Sequence, residues 1–385
     1  MIRWKSIEDV VNCPSFELAW ESRYAKMPNL YAMYHSPEWL SCFKGVSTQK
    51  VSVAVCHTPS QMVSRPTYAV LRKREVDLVF GLSPAIKFAL PIKALELLGS
   101  DVLGEGDVEH LHEIIEGCWK RYPSVDAIYL KSVQQDSSLW RFFEANHWQI
   151  GGASIYMPDA LRSFHYIELP STYEEYLKGF RAKQRYTLKK KVRRLYQSFV
   201  GQVEIQEVNN PCEIEALVEK ASQVIDNSWK AKHLKAPLPN SIRDIGTLHD
   251  IAGMGMLKSH LMLINGEPSA FIVGYLYKGI YHYADLAYDL KYRDYSPGTV
   301  LLHKVIENMF DSQQTVYVNF GITDAQYKQV FGNRHVQDAG MLLIRRRFSN
   351  ILKVGIHRLF RGSKVHVKQL RDHLMKRQHP TQSAM

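Results

Sequence analysis

The stretch Arg293-Asp294-Tyr295-Ser296-Pro297-Gly298 constrains the fold more than any other, because of what stands on either side of it. Before it runs a strand-like aromatic segment, Ile280 to Tyr288. After it comes an apolar segment, Thr299 to Phe310, in which Val300, Leu301, Val305 and Met309 recur at roughly helical spacing. A second strand-like run, Thr315 to Phe320, ends at Gly321. Strand, turn, helix and strand in that order call for an α/β architecture with a helix N-terminus just behind a strand end. Backbone N–H groups are unpaired there and the helix dipole favours an anion, so Arg293, Ser296, Gly298, Thr299 and Val300 form a candidate phosphate seat. Pro297 pre-sets the turn, and Gly298 is read as allowing a ligand close to the backbone.

A chain of 385 residues, 45% of them apolar, can bury a full core and is expected to divide into about two domains plus extras. No apolar run approaches the roughly 20 residues that span a bilayer, and the first 50 residues contain no signal-peptide core, so a cytoplasmic address is expected. Cys13, Cys42, Cys56, Cys118 and Cys212 are scattered and odd in number, which argues against a disulfide framework and a zinc site. They are read as reduced and mostly buried. Charge is uneven: residues 341–385 carry 11 Lys and Arg against one Asp, whereas the rest of the chain is close to neutral. The high pI therefore belongs to the tail and does not by itself imply nucleic-acid binding.

Several motifs appear in a fixed order: Trp229-Lys230, Leu263-Ile264-Asn265-Gly266-Glu267-Pro268-Ser269-Ala270-Phe271, Tyr288-Asp289, Tyr295-Ser296-Pro297-Gly298, Phe320-Gly321 and Tyr327-Lys328. Together they resemble the BioF2-like acetyltransferase domain of the GNAT superfamily, found in CelD-type proteins associated with exopolysaccharide or cellulose synthesis and related to the FemAB peptidyltransferases. The resemblance runs from about Phe164 to Leu343. The phosphate loop departs from the Arg/Gln-x-x-Gly-x-Gly/Ala pattern of that superfamily by one residue, with Ser296 where the first glycine is usual.

The resemblance implies tandem GNAT-like domains with mixed sheets: a degenerate copy over residues 1–160, the acyltransferase domain over 161–343, and a basic helical tail over 344–385. In the N-terminal part, Leu78 to Gly81 and Pro84 to Leu95 supply apolar runs, Asp107 to Arg121 and Asp136 to Asn146 read as helices and Val125 to Leu130 as a strand, an order that suggests a βαβ unit. The resemblance also implies acetyl-CoA or another acyl-CoA as co-substrate, with no metal. The acceptor would be an amine on a small molecule, sugar or envelope precursor.

The same carry-over implies that Lys328 steadies developing negative charge, and it leaves Tyr327 either to protonate the leaving thiolate or to pack. A carboxylate near the amine can remove its proton, and Asp285 is favoured because alternation puts it on the face of Tyr281 and Tyr283, with His282 and Tyr288 on the other. Trp229 and Lys230 are expected to border the substrate cleft.

Lys178 to Arg194 is a basic helix in which Leu188, Val192, Leu195 and Phe199 mark the packed side. Lys183 and Arg185 on it are candidates for an anionic substrate or the cofactor's phosphates. Arg345 to Arg377 reads as one or two basic amphipathic helices, with Ile351, Leu352, Ile356, Leu359 and Phe360 on one side and a break at Gly362-Ser363. Docking on the protein itself, on an anionic membrane surface, or on RNA are all open for it. The chain contains no Gly-x-Ser-x-Gly, no Walker loop, no Gly-x-Gly-x-x-Gly and no His-Glu-x-x-His. Two further functions stay open beside acyl transfer from CoA: a FemAB-like transfer from aminoacyl-tRNA, and a non-catalytic envelope or regulatory protein that keeps the fold.

Overall fold

Two-residue turns fix the strands that carry the site. Asn265-Gly266 joins strand Ser259–Ile264 to Glu267–Tyr277, and Lys278-Gly279 joins that strand to Ile280–Tyr288. Both residues of each pair have positive φ (56° and 77°, then 43° and 80°), the left-handed combination whose twist suits a tight hairpin. The computed structural model describes residues 2–26, 30–42, 51–57, 66–81, 87–104, 110–228, 239–322 and 325–378. It contains two units, the first made of Met1–Lys26, Thr48–Ala160 and Ala339–Met385, the second of Met27–Ser47 and Leu161–Asp338.

In the first unit, strands Ile2–Lys5, Val51–Cys56, Thr67–Gly81 and Lys87–Leu97 pair antiparallel in that order. Lys87–Leu97 then pairs parallel with Ala127–Gln134, and helix Leu111–Arg121 lies between the two in sequence, the βαβ unit that the sequence suggests. Ile114, Ile115, Cys118 and Trp119 of that helix enter a core with Leu139, Trp140 and Phe143 of helix Ser138–Ala145. Residues 339–385 are grouped with this unit.

The helix Phe348–Gln378 runs through Gly362-Ser363 without the expected break. Val354 and His357 are its buried side, and His357 Nε2 bonds to the Val79 carbonyl at 3.1 Å. The opposite side carries the apolar stripe: Phe348, Ile351, Leu352, Ile356 and Leu359 all face solvent, Phe348 at 84% exposure.

In the second unit the strand order is Arg334–Arg345 (its first half), Arg162–Glu168, Tyr317–Asn319, Ile280–Tyr288, Glu267–Tyr277, Ser259–Ile264 and Val203–Val208. Every neighbouring pair is antiparallel except Ile280–Tyr288 with Tyr317–Asn319. Helices Ala182–Ser198 and Pro297–Ser312 cover one face, where Leu188, Leu195, Val300, Leu301, Val305 and Ile306 pack on Met262, Ile264, Ala270, Ile272 and Tyr281. Residues alternating with these, Tyr275 and His282, meet the aromatic segment 30–42 on the other face through Trp39 and Tyr34.

Candidate active site

The parallel pair creates the opening. Its ladder has three rungs, Ile280 with Tyr317, Tyr281 with Val318 and His282 with Asn319, after which Ile280–Tyr288 continues alone for six residues. Beyond the last rung neither strand's edge is closed by the other, so a ligand's amide groups can pair there. Helix Pro297–Ser312 begins behind the long strand's end, as the sequence indicates.

The loop between them is a short 3₁₀ turn, Leu290–Tyr295, and Ser296 closes it while opening the helix. Ser296 N–H donates to the Arg293 carbonyl and Val300 N–H donates to the Ser296 carbonyl, each at 3.1 Å. This double duty forces Ser296 into the left-handed region, φ 55° and ψ 49°, where glycine is preferred. No side chain caps the first helical turn and Pro297 has no N–H, so the orphan donors belong to Gly298 and Thr299.

Arg293 is 71% exposed and loosely paired with Asp294 at 3.7 Å. Gly298 has a packing reason as well. A Cβ there would stand 3.0 Å from Leu286 Cδ2 and 3.3 Å from Tyr288 Cδ1, so glycine lets the helix lie against the strand. The donor set fits a pyrophosphate: two free amides, a helix N-terminus and an exposed guanidinium.

Asp285 departs from the expected face. Val273 pairs with Asp285 while Gly274 pairs with Tyr283, so Ala284 is an extra residue and the alternation inverts across it. Leu286 and Tyr288 therefore join Tyr281 and Tyr283 on the helix-covered face. Asp285 falls instead with His282, on the side of segment 30–42. There Ser241 Oγ donates to its carboxylate. Burial, with the field of Asp285 second, pushes the Tyr34 hydroxyl up to about 12, and Tyr275 moves in the same direction through burial and neighbours that include Asp285.

Tyr327 and Lys328 sit side by side on the short helix Gln326–Phe331 and face different surroundings. Tyr327 donates to the Tyr283 hydroxyl at 3.0 Å, and Phe320 packs edge-on against both rings. Burial raises both phenols, so each keeps its proton at neutral pH. Tyr283 is a candidate that sequence reasoning passed over. Only its place one residue after the last rung distinguishes it from the other strand tyrosines. Lys328 is buried, 3% exposed, and its Nζ donates to the Phe320 carbonyl at 2.5 Å.

The basic helix contributes differently from the expectation. Arg185 turns back on its own chain and donates to the carbonyls of Phe180 at 2.7 Å, Lys178 at 3.3 Å and Leu177 at 3.4 Å, which serves the C-terminus of helix Tyr173–Lys178. Lys183 is exposed in the same first turn. Arg194, nearly three turns on, stands over the Tyr295 ring at 5.4 Å, and Phe199 packs on Tyr292 and Tyr295. That end of the helix meets the turn Leu290–Tyr295. Trp229 and Lys230 lie outside the described residues.

Residues 182–329 match the family model described as "Acetyltransferase (GNAT) domain". GNAT domains are acyltransferases that use acyl-CoA as co-substrate, and the match covers less than half of this chain. A search of the curated proteins found no match. Among solved structures, FemX superposes with a TM-score of 0.51 at 9% identity, covering 80% of this chain and 91% of that one, a likeness of fold. A protein of unknown function from Bacteroides thetaiotaomicron VPI-5482 gives 0.49 at 12% identity (89% and 100% covered). L-PGS from Bacillus licheniformis gives 0.46 at 11% identity (76% and 86%). The expected mixed α/β fold with a large mixed sheet agrees with the family match, the FemX superposition and the sheet itself.

Proposed function

We propose that this protein is an N-acyltransferase that moves an acyl group, acetyl first among candidates, from acyl-CoA to an amine of a sugar or cell-envelope precursor. The observation that carries the reading is the unclosed end of the parallel strand pair, with an uncapped helix N-terminus behind it and the Tyr283–Tyr327 hydroxyl pair one residue past the last rung. Arg293, Arg194 and the amides of Gly298 and Thr299 hold the pyrophosphate. The amine nitrogen attacks the thioester carbon, the C–S bond breaks, and the amine's proton passes to Asp285. Tyr283, itself hydrogen-bonded by Tyr327, gives its proton to the departing thiolate and regains one from solvent. Lys328 acts as a positioning residue by fixing the Phe320 carbonyl at the strand end.

Transfer from aminoacyl-tRNA is a second reading, supported by the exposed Lys189, Lys190, Arg193 and Arg194 on helix Ala182–Ser198. A thermal-shift titration of the full chain with acetyl-CoA, free CoA and inorganic pyrophosphate separates the two. A ligand at 100 times its Kd adds about 2.7 kcal/mol of stability. A saturable shift with acetyl-CoA well beyond that with pyrophosphate supports the first reading. No shift with either CoA favours the second.

The C-terminal helix extends the proposal to location, a peripheral one at the inner face of the membrane. Its solvent-facing apolar stripe and the 11-to-1 excess of basic residues suit an anionic bilayer, whereas a second copy of the same charge would be repelled. Among the described residues no helix is long and apolar enough to cross a membrane. Co-sedimentation with phosphatidylglycerol vesicles should fall steeply in the variant Phe348→Ser, Leu352→Ser, Leu359→Ser. Unchanged sedimentation would remove the tail from any membrane role.

A further inference from the structure

His282 is the residue of the last rung, it is 2% exposed, and neither catalysis nor core packing accounts for its polar edge. Its hydrogen-bonding state follows from its neighbour across the rung. Asn319 Oδ1 accepts the Gly321 N–H at 2.8 Å, which fixes the amide orientation, so Asn319 Nδ2 must be the group that faces Leu30 O at 2.5 Å and His282 Nδ1 at 3.4 Å. An N–H directed at Nδ1 makes Nδ1 the acceptor. The ring is neutral, since burial pushes its pKa down to about 3, and its single proton is therefore on Nε2. That Nε2 is buried and has no hydrogen-bond partner among the described residues.

A buried donor left unmade is costly, and it persists where a ligand completes it. The groups around it restrict which ligand. Tyr34 meets the imidazole edge-on at 5.8 Å, Tyr34 and Trp39 pack at 5.3 Å, and Trp39 and Tyr275 at 5.7 Å, so aromatic surface lies beside the donor. Asp285 shares the face, brought there by the bulge at Ala284. A neutral donor, a carboxylate and aromatic rings suit a polyhydroxylated amine. The carboxylate takes the nitrogen, the donor takes a ring oxygen or hydroxyl, and the rings take the C–H face.

We infer that His282 Nε2–H recognises a hydroxyl or ring oxygen of the acceptor, so that the acceptor is an amino sugar. This rests on the acyltransferase reading and narrows its acceptor. The test uses full-length protein labelled with ¹⁵N-histidine, with CoA present, titrated with glucosamine and with cyclohexylamine, which has the amine but no oxygen. His282 is assigned by the resonances missing in His282→Phe.

The expected result is one neutral tautomer protonated at Nε2, whose signal moves saturably with glucosamine and not with cyclohexylamine. His282→Phe, which keeps the shape and removes the donor, should fold normally and bind glucosamine about tenfold more weakly, while His282→Gln keeps an N–H and most of the affinity. A proton on Nδ1, or glucosamine binding unchanged in His282→Phe, overturns the inference. CoA binding without any glucosamine effect overturns the inference and leaves the acyltransferase reading standing. Failure of both ligands overturns both.

Discussion

Ser296→Gly tests the proposed phosphate loop at the point where sequence and conformation disagree. Ser296 has φ 55° and ψ 49°, held there because its N–H ends one turn and its carbonyl begins the next. For an L-residue the left-handed region costs roughly 1–2 kcal/mol, from the approach of Cβ to the following carbonyl. Glycine removes that strain and costs roughly 0.4–1 kcal/mol through its freer unfolded chain. The Ser296 side chain caps nothing, so no hydrogen bond is subtracted. The net expectation is a gain of about 0.5–1 kcal/mol, or a Tm rise of roughly 1–4 °C for a unit of this size.

Ser222→Gly supplies the control of opposite sign. Ser222 is mid-helix in Ile214–Asp226, and the same substitution there should lose about 0.5 kcal/mol. Both variants are read by urea denaturation and thermal melting, with CoA titration as a second readout. The reasoning is refuted if Ser296→Gly destabilises the protein, or if the two variants fall together. Loss of CoA binding in a stabilised Ser296→Gly would mean that the hydroxyl itself contacts phosphate.

Gly298→Ala should lose about 1 kcal/mol in urea melts despite alanine's better helix propensity, because its Cβ crowds Leu286 and Tyr288; a gain would mean that the strand and helix can separate. Lys328→Ala leaves the Phe320 carbonyl unmet and empties the space of a four-carbon stem, so a loss of about 2–4 kcal/mol is expected in the same assay with CoA affinity of the folded fraction retained; a loss under about 1 kcal/mol would remove its positioning role. Burial holds His282 down to about 3 and His303 down to about 4, so between pH 4.5 and 6.5 the unfolded state binds protons that the folded state refuses. Stability should therefore rise with pH across that window and be lost as pH falls, by up to about 1.4 kcal/mol per pH unit for each histidine. His282→Phe should flatten the slope of stability against pH by about one proton; an unchanged slope would mean that the imidazole is not held neutral.

Much of the second unit was legible because its signals are local. Asn265-Gly266 specifies a tight hairpin through φ alone, Pro297 marks a helix start through its fixed φ and missing N–H, and apolar spacing marks which side of helix Ala182–Ser198 packs. The strand, turn, helix and strand order around Ser296 follows from those signals.

Pairing across the sheet decided the rest. The extra residue at Ala284 exists only relative to Glu267–Tyr277, and it moved Asp285 to the face of His282 although simple alternation along the strand puts it with Tyr283. Arg185 carries the same charge as Arg194, yet one answers the carbonyls of residues 177–180 and the other lies over the loop, a difference set by which end of the helix meets which neighbour. The reason is physical: φ, ψ preference and apolar period are properties of a few adjacent residues, whereas the facing of a side chain past a bulge and the burial of Lys328 and His282 depend on groups that the chain brings together only by folding.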